Sequence, residues 1–266
     1  MKKLSIFFFS LFLLSISSQD NVKYQKPSKE ILDLVEFERP PSIVYDDNKN
    51  FMLFLFRDNY KSISELSAKE LRLGGLRIDP KTNIGSRVTY YNNVKIRNLK
   101  NQKSEITQVK GLPKNPKLSN ISWSPDQKRI ALTNTTETGV ELWVLELESG
   151  SVTKLTESNL NSNIGSIINW FSDSENMLVK MISNNRRPLI DTNKIVPDGP
   201  TISTNFGEKA QNRTYQDLLK NKFDEHNFEQ LSTSMIYKVS IDGSIKKWMD
   251  DGMYLSLIHI SEPTRR

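Results

Sequence analysis

Few residues in this chain of 266 are of the types, and at the spacings, that do chemistry. Cysteine is absent, which excludes thiol catalysis, a disulfide framework and a lipid-attachment cysteine. Only two histidines occur: His226, in a charged helix-turn stretch where it is expected to be solvated, and His259, near the C-terminus. No G-x-S-x-G elbow is present to expose a serine hydroxyl, so no triad can be assembled and no catalytic residue is assigned. Asp46-Asp47-Asn48 lacks the spacing of a calcium loop and reads as a hairpin turn, as does Asp250-Asp251-Gly252. Gly74-Gly75 is expected to end a helix, the wrong context for cradling phosphate. No metal or cofactor site is therefore assigned. One pair stands out, Arg186-Arg187 at the start of a long insertion. Either guanidinium could face an acidic substrate side chain, or both could sit in a solvated turn. Substrate-binding residues are otherwise unknown.

These side chains must be positioned by strands, because the chain repeats a strand motif. Ile121–Asn134, ISWSPDQKRIALTN, is an apolar strand ending in Trp123, a polar turn with Asp126, and a second strand. Glu141–Thr156 supplies two more strands around a Ser-Gly turn. A copy begins at Ile167, with Trp170 and Asp173 each 47 residues after Trp123 and Asp126. Leu142-Trp143-Val144 recurs as Ile236-Tyr237-Lys238, twice that interval on, and Val94-Lys95-Ile96 precedes it by 48. Val44, Asp47 and the apolar run Phe51–Phe56 fit the same frame upstream. A period of about 40–50 residues built of short strands marks propeller blades. The expected fold is all-β: a partial propeller of about three blades, near 42–110, 118–156 and 165–248, with short helical insertions. An unrelated all-β sandwich is the alternative. Strands are expected at 43–56, 120–134, 140–156, 167–182 and 234–248. Trp123, Trp143 and Trp170 are expected in the core, and Trp248 is left open.

Closed propellers have about 4–8 blades, so three make an open arc with unpaired faces. Two insertions decorate it. In Ile63–Ile78, Ser64 is expected to cap a helix running to Leu73, with Gly74-Gly75 as its stop. The other spans about 185–231. It opens as a Pro- and Gly-punctuated loop and ends in a helix expected near 213–222, with Leu218, Leu219, Phe223 and Phe228 on one apolar face.

Both ends read differently from the middle. Met1-Lys2-Lys3 and the apolar run that follows read as a secretory signal over 1–18, which points to export into a bacterial periplasm or the medium, with no stable membrane span after cleavage. Leu255–Arg265, LSLIHISEPTR, reads residue for residue as a translated transposase-type sequencing adapter, so 255–266 is expected not to be native and 19–254 to be a truncated propeller. Without the two end segments the net charge falls from +6 to +3, and no dense basic run remains to suggest nucleic acid.

Glu65–Arg87 (ELSAKELRLGGLRIDPKTNIGSR), Asn120–Leu132, Val140–Gly150, Pro197–Pro200 (PDGP) and Arg213–Glu225 (RTYQDLLKNKFDE) together resemble the prolyl oligopeptidase family of serine peptidases, nearest its glutamyl endopeptidase branch. The resemblance covers 24–254. It implies an N-terminal propeller that gates access to an α/β-hydrolase domain carrying a Ser-Asp-His triad, and a peptide or protein substrate. That hydrolase domain would be the propeller's own missing partner. None of the family's catalytic positions falls in this chain, so the fragment itself is expected to be inactive. The alternative is a non-catalytic envelope propeller that binds a protein or glycan.

Overall fold

The computed structural model describes residues 25–101, 103–191, 194–196, 199, 202, 206–207 and 217–255. The signal-like residues 1–18 and the tail 256–266 lie outside them, while Leu255 is exposed. Residues up to Glu38 form a unit of their own, whose described helix α1 (Lys29–Val35) follows the extended Ser28 and buries no side chain.

Beyond Arg39 three four-stranded antiparallel sheets follow one another along the chain. The first runs β1 (Ser42–Tyr45), β2 (Phe51–Phe56), β6 (Asn93–Asn98), β7 (Thr107–Gln108). The second runs β8 (Leu118–Trp123), β9 (Arg129–Thr135), β10 (Val140–Glu146), β11 (Ser151–Lys154). The third runs β12 (Ile168–Trp170), β13 (Asn176–Ile182), β14 (Ser234–Ser240), β15 (Ile245–Gly252). Each is a meander in which every strand pairs with the next, the arrangement of a propeller blade, and the set forms a partial β-propeller.

The middle sheet shows why the strands read as continuous apolar runs. A strand between two blades has no solvent face. Ile130, Leu132 and Leu145 pack with Leu53, Leu55, Val94 and Ile96 of the first blade. Ala131, Leu142 and Val144, on the other face, pack with Ile168, Trp170, Met177 and Val179 of the third. Trp123 and Trp143 lie partly buried against the first cluster. Trp248 is half exposed and meets Phe171 edge-on, ring centroids 5.8 Å apart.

The turn joining the first two strands of each blade is the same structure three times. Asp46 N donates to Phe51 O, Ser124 N to Arg129 O and Phe171 N to Asn176 O. A left-handed residue closes each turn: Lys49 at φ 54°, Gln127 at 59°, Ser174 at 57°. Tyr45 is therefore the counterpart of Trp123 and Trp170, one residue later than the frame through Val44. These turns also join blades. Gln127 Oε1 accepts from Asp47 N at 3.2 Å, and Ser174 Oγ from Asp126 N at 2.9 Å.

The expected helices are displaced. The first is a single turn, α2 (Ile63–Leu66), capped by Ser62, whose side chain accepts from Glu65 N while Glu65 returns to Ser62 N. Gly74-Gly75 ends no helix. The two glycines form the turn of a hairpin between β3 (Leu71–Leu73) and β4 (Leu76–Asp79), with φ of 57° and 81°. A short β5 (Ile84–Gly85) completes this small sheet. The second helix is α3 (Lys222–Ser232), later than expected, and 213–216 lie outside the described residues. Asp250–Gly252 is the end of β15 rather than a turn.

Candidate functional site

Because the first-to-second turns touch from blade to blade, all three share one rim, and the second-to-third connections share the other. Both insertions belong to that second rim. One joins β2 to β6 and the other joins β13 to β14, with the compact middle blade between them. They nevertheless meet. Leu73 and Ile78 of the first are buried with Leu231 of the second, and Leu189, Leu219 and Phe228 pack around them. Gly74 lies so close to the Phe228 ring that a Cβ there would come within 3.0 Å of Cε2.

Polar contacts fix the junction. Arg77 gives Nη1 to Glu70 Oε1 at 2.9 Å and places Nη2 3.1 Å from Asp217 Oδ2, while Gly75 N donates to Asp217 O. Glu70 also accepts from Ser86 Oγ at 2.6 Å and from Arg72 Nε at 2.9 Å. The Ser86 hydroxyl first, and then Arg77 and Arg72, outweigh burial and pull the Glu70 carboxyl down to about 2.

Helix α3 is held at both ends. The Asn221 side chain accepts from Phe223 N and Asp224 N, and Asp224 and Glu225 sit in the positive first turn. At the other end the Asn161 and Asn163 amides donate to Leu231 O at 3.0 and 2.8 Å, and Asn161 donates to Thr233 O at 2.9 Å. The helix then pins the start of its own insertion. Gln230 Oε1 accepts from Arg187 N at 2.7 Å, and Asn227 exchanges two hydrogen bonds with the Ile190 backbone. His226, expected to be solvated, is half-buried with Nε2 3.1 Å from Pro188 O.

Between this helix, the insertion's first residues and the end of β15 lies a cleft of about 230 Å³. Ser183, Arg186, Gln230 and Thr233 line it, with Arg187, Glu229 and Asp251 among its charged neighbours. The two arginines diverge in role. Arg187 is exposed and lies 3.6 Å from Glu229 Oε2. Arg186 is half-buried, and its Nη1 donates to Oδ1 of Asn83, a buried residue of the first insertion. Burial pushes the Arg186 guanidinium below its ordinary value. Among the described residues no carboxylate lies within ion-pair distance of it. Sequence singled out the pair. It gave no sign that Asn83, 103 residues away, would orient one member, nor that Ser183, Gln230 and Thr233 would join it.

Elsewhere, the buried Lys180 on β13 donates from Nζ to Ile164 O at 2.9 Å and to Tyr254 O, and burial lowers its pKa to about 8. Among the described residues no group of three His, Asp or Glu is placed to hold a metal ion, and no helix is long and apolar enough to cross a membrane.

No family model matches the chain. Two curated proteins do. The chain is 29% identical over 246 residues to a probable chloroplastic glutamyl endopeptidase of Oryza sativa subsp. japonica, covering 88% of this chain and 26% of that protein. It is 30% identical over 250 residues to a protein of the same name from Arabidopsis thaliana, covering 88% and 25%. The chain thus spans about a quarter of the length of the curated relatives it matches. Among solved structures, Pyrococcus horikoshii acylaminoacyl peptidase is 16% identical over 82% of this chain and 26% of that one, with a TM-score of 0.38. The β-propeller domain of the Trilobed protease from Pyrococcus furiosus is 14% identical over 80% and 58%, with a TM-score of 0.29. The resemblance carried by the sequence motifs is borne out: the chain is similar to a portion of the glutamyl endopeptidases of the prolyl oligopeptidase family.

Proposed function

We propose that this chain is the propeller portion of a serine endopeptidase of the prolyl oligopeptidase family, and that in the whole protein it limits which peptides reach a hydrolase domain encoded downstream. The observation that carries this is the pair of glutamyl endopeptidase relatives, each matched over 88% of the chain but only about a quarter of its own length. The fold supports it. Both long insertions lie on one rim and join into a single decorated cap there, the arrangement of a surface shaped to face something. A preference for acidic residues is part of the proposal, suggested by the relatives' names and by the arginine cleft in the cap. The short basic and apolar start, Met1–Ser18, supports export, and the adapter-like 255–266 supports truncation after Tyr254.

Taken alone, the chain is expected to hydrolyse nothing, because an unactivated serine hydroxyl is a poor nucleophile and the sequence holds no G-x-S-x-G elbow to activate one. The test is to read the intact gene past the Tyr254 codon. The expected reading frame continues for several hundred residues and contains a G-x-S-x-G elbow, then Asp, then His, in that order. A frame that stops soon after, or that closes the ring with further blades and no hydrolase domain, removes the peptidase reading.

A further inference from the structure

The cleft at Arg186 has features that a solvated turn does not need. A guanidinium is costly to bury unless its charge is answered. Arg186 is half-buried, yet among the described residues its side chain is held only by a neutral partner, the Asn83 amide oxygen. That partner is itself fixed: Asn83 is buried, its N donates to Asp79 O at 3.0 Å, and its O accepts from Ser162 N at 2.8 Å. Arg186 N donates to Ser183 O, and the backbone of its neighbour is clamped by Gln230. The guanidinium is thus set in place by three separate parts of the chain and carries into a cleft a positive charge that no carboxylate among the described residues pairs.

The nearby acids are already engaged. Glu229 lies beside Arg187, and Asp251 Oδ2 accepts from Asn185 Nδ2 at 2.9 Å. They bias the choice of anion, because a phosphate dianion would meet both carboxylates, whereas a single carboxylate gains the planar fork of the arginine at a smaller repulsive cost. Size narrows it further. The cleft, about 230 Å³, is below the roughly 300–1,000 Å³ of ordinary small-molecule sites, so it fits one side chain or chain end. The buried hydroxyl-bearing Ser183 and the hydroxyl of Thr233 line the same space and can donate to an oxyanion.

The geometry points to a carboxylate-binding subsite centred on Arg186, which takes an acidic group of a bound peptide on the decorated rim. It deepens the peptidase reading by naming which residue of this chain meets the substrate, but it makes a claim about this chain alone. Its test therefore needs no catalysis. The full chain is titrated by NMR with N-acetyl-glutamate amide, N-acetyl-glutamine amide, N-acetyl-glutamine with a free carboxylate, and inorganic phosphate. Binding of either carboxylate ligand, with the neutral amide inert and phosphate weaker, is the expected result. The first and third ligands separate a side-chain carboxylate from a chain terminus. Arg186→Lys keeps the charge but loses the fork and is expected to weaken binding by about tenfold. Arg186→Gln is expected to abolish it, and Arg187→Gln to change it by less than about threefold. Thermal melts of each variant check that the fold is kept. Equal binding of the neutral amide, phosphate binding as tight as carboxylate, or a folded Arg186→Lys variant with unchanged affinity each overturns the proposal. Failure of this titration leaves the downstream gene sequence, and so the peptidase reading, to be judged separately.

Discussion

Ile43 of the first blade and Ile168 of the third occupy the same position in their turns' common frame, yet Ile43 is 48% exposed and Ile168 is 5% exposed. The neighbouring pair repeats the contrast, with Tyr45 at 49% and Trp170 at 8%. Ile168 and Trp170 have a preceding blade to pack on; Ile43 and Tyr45, among the described residues, have none. The comparison measures within one molecule what an adjacent blade covers.

Self-association is the first consequence. An apolar face left open on a strand-rich edge is an association surface. The chain in isolation is expected to form soluble oligomers or aggregates in sedimentation velocity. The double substitution Ile43→Ser with Tyr45→Ser is expected to shift the population towards monomer. Ile43→Ala should change stability by under about 0.5 kcal/mol, and Ile168→Ala should cost about 2–4 kcal/mol in urea unfolding. Equal costs at the two positions would mean that the Ile43 face of the first blade is covered rather than open.

The glycine pair of the first insertion gives a second test. Both residues need left-handed backbone, but only Gly74 faces a neighbour, the Phe228 ring, while Gly75 faces open space. Gly75→Ala is expected to cost about 1–2 kcal/mol for the backbone alone. Gly74→Ala is expected to cost more and to disturb the cap, read as increased amide exchange in α3. A smaller effect at Gly74 than at Gly75 would place the junction between the insertions elsewhere.

Much of the fold was legible because a blade has a period. Trp123 and Trp170 end equivalent strands, and the register of Leu142, Val94 and Ile236 on the third strand of each blade needed only the interval between copies. Gly74-Gly75 was misread for a physical reason: a helix stop and a two-residue hairpin both demand positive φ, and the local sequence satisfies either. Ser62 and Ser64 could each cap, and what decides for Ser62 is the reciprocal bond with Glu65. Helix α3 starts where Asn221 can cap it, beyond the apolar run that suggested an earlier start. The cleft was the least legible part. Ser183, Arg186, Gln230 and Asp251 are assembled by blade closure and by Asn83 from another insertion, and no spacing along the chain records that.

The charge network in the cap makes stability depend on acid. Glu70 is held at about 2 in the folded chain, below its value when unfolded. A carboxylate with a depressed folded pKa contributes stability that is present above the unfolded value, about 4.3, and is lost as pH falls through the folded one. The stability difference between the native chain and Glu70→Gln is expected to be largest above about pH 5 and to vanish by about pH 2. A difference independent of pH would show that Glu70 acts by packing alone.

Lys180 has the opposite dependence. Its pKa falls to about 8 on burial, below the unfolded value of about 10.4. The unfolded chain then binds more protons between those values, so stability is expected to rise as pH increases from about 8 to 10. Lys180→Met should remove that rise. A native chain whose stability is flat or falling across this range would mean that the ammonium is better satisfied by the Ile164 and Tyr254 carbonyls than its burial implies.

The central claim is tested most directly by reacting the intact gene product with a fluorophosphonate serine probe. In this account the full-length protein is labelled at one serine, the one within its G-x-S-x-G elbow, and the present chain is not labelled at all. A folded full-length product that takes up no label would contradict it and leave a propeller whose work is binding.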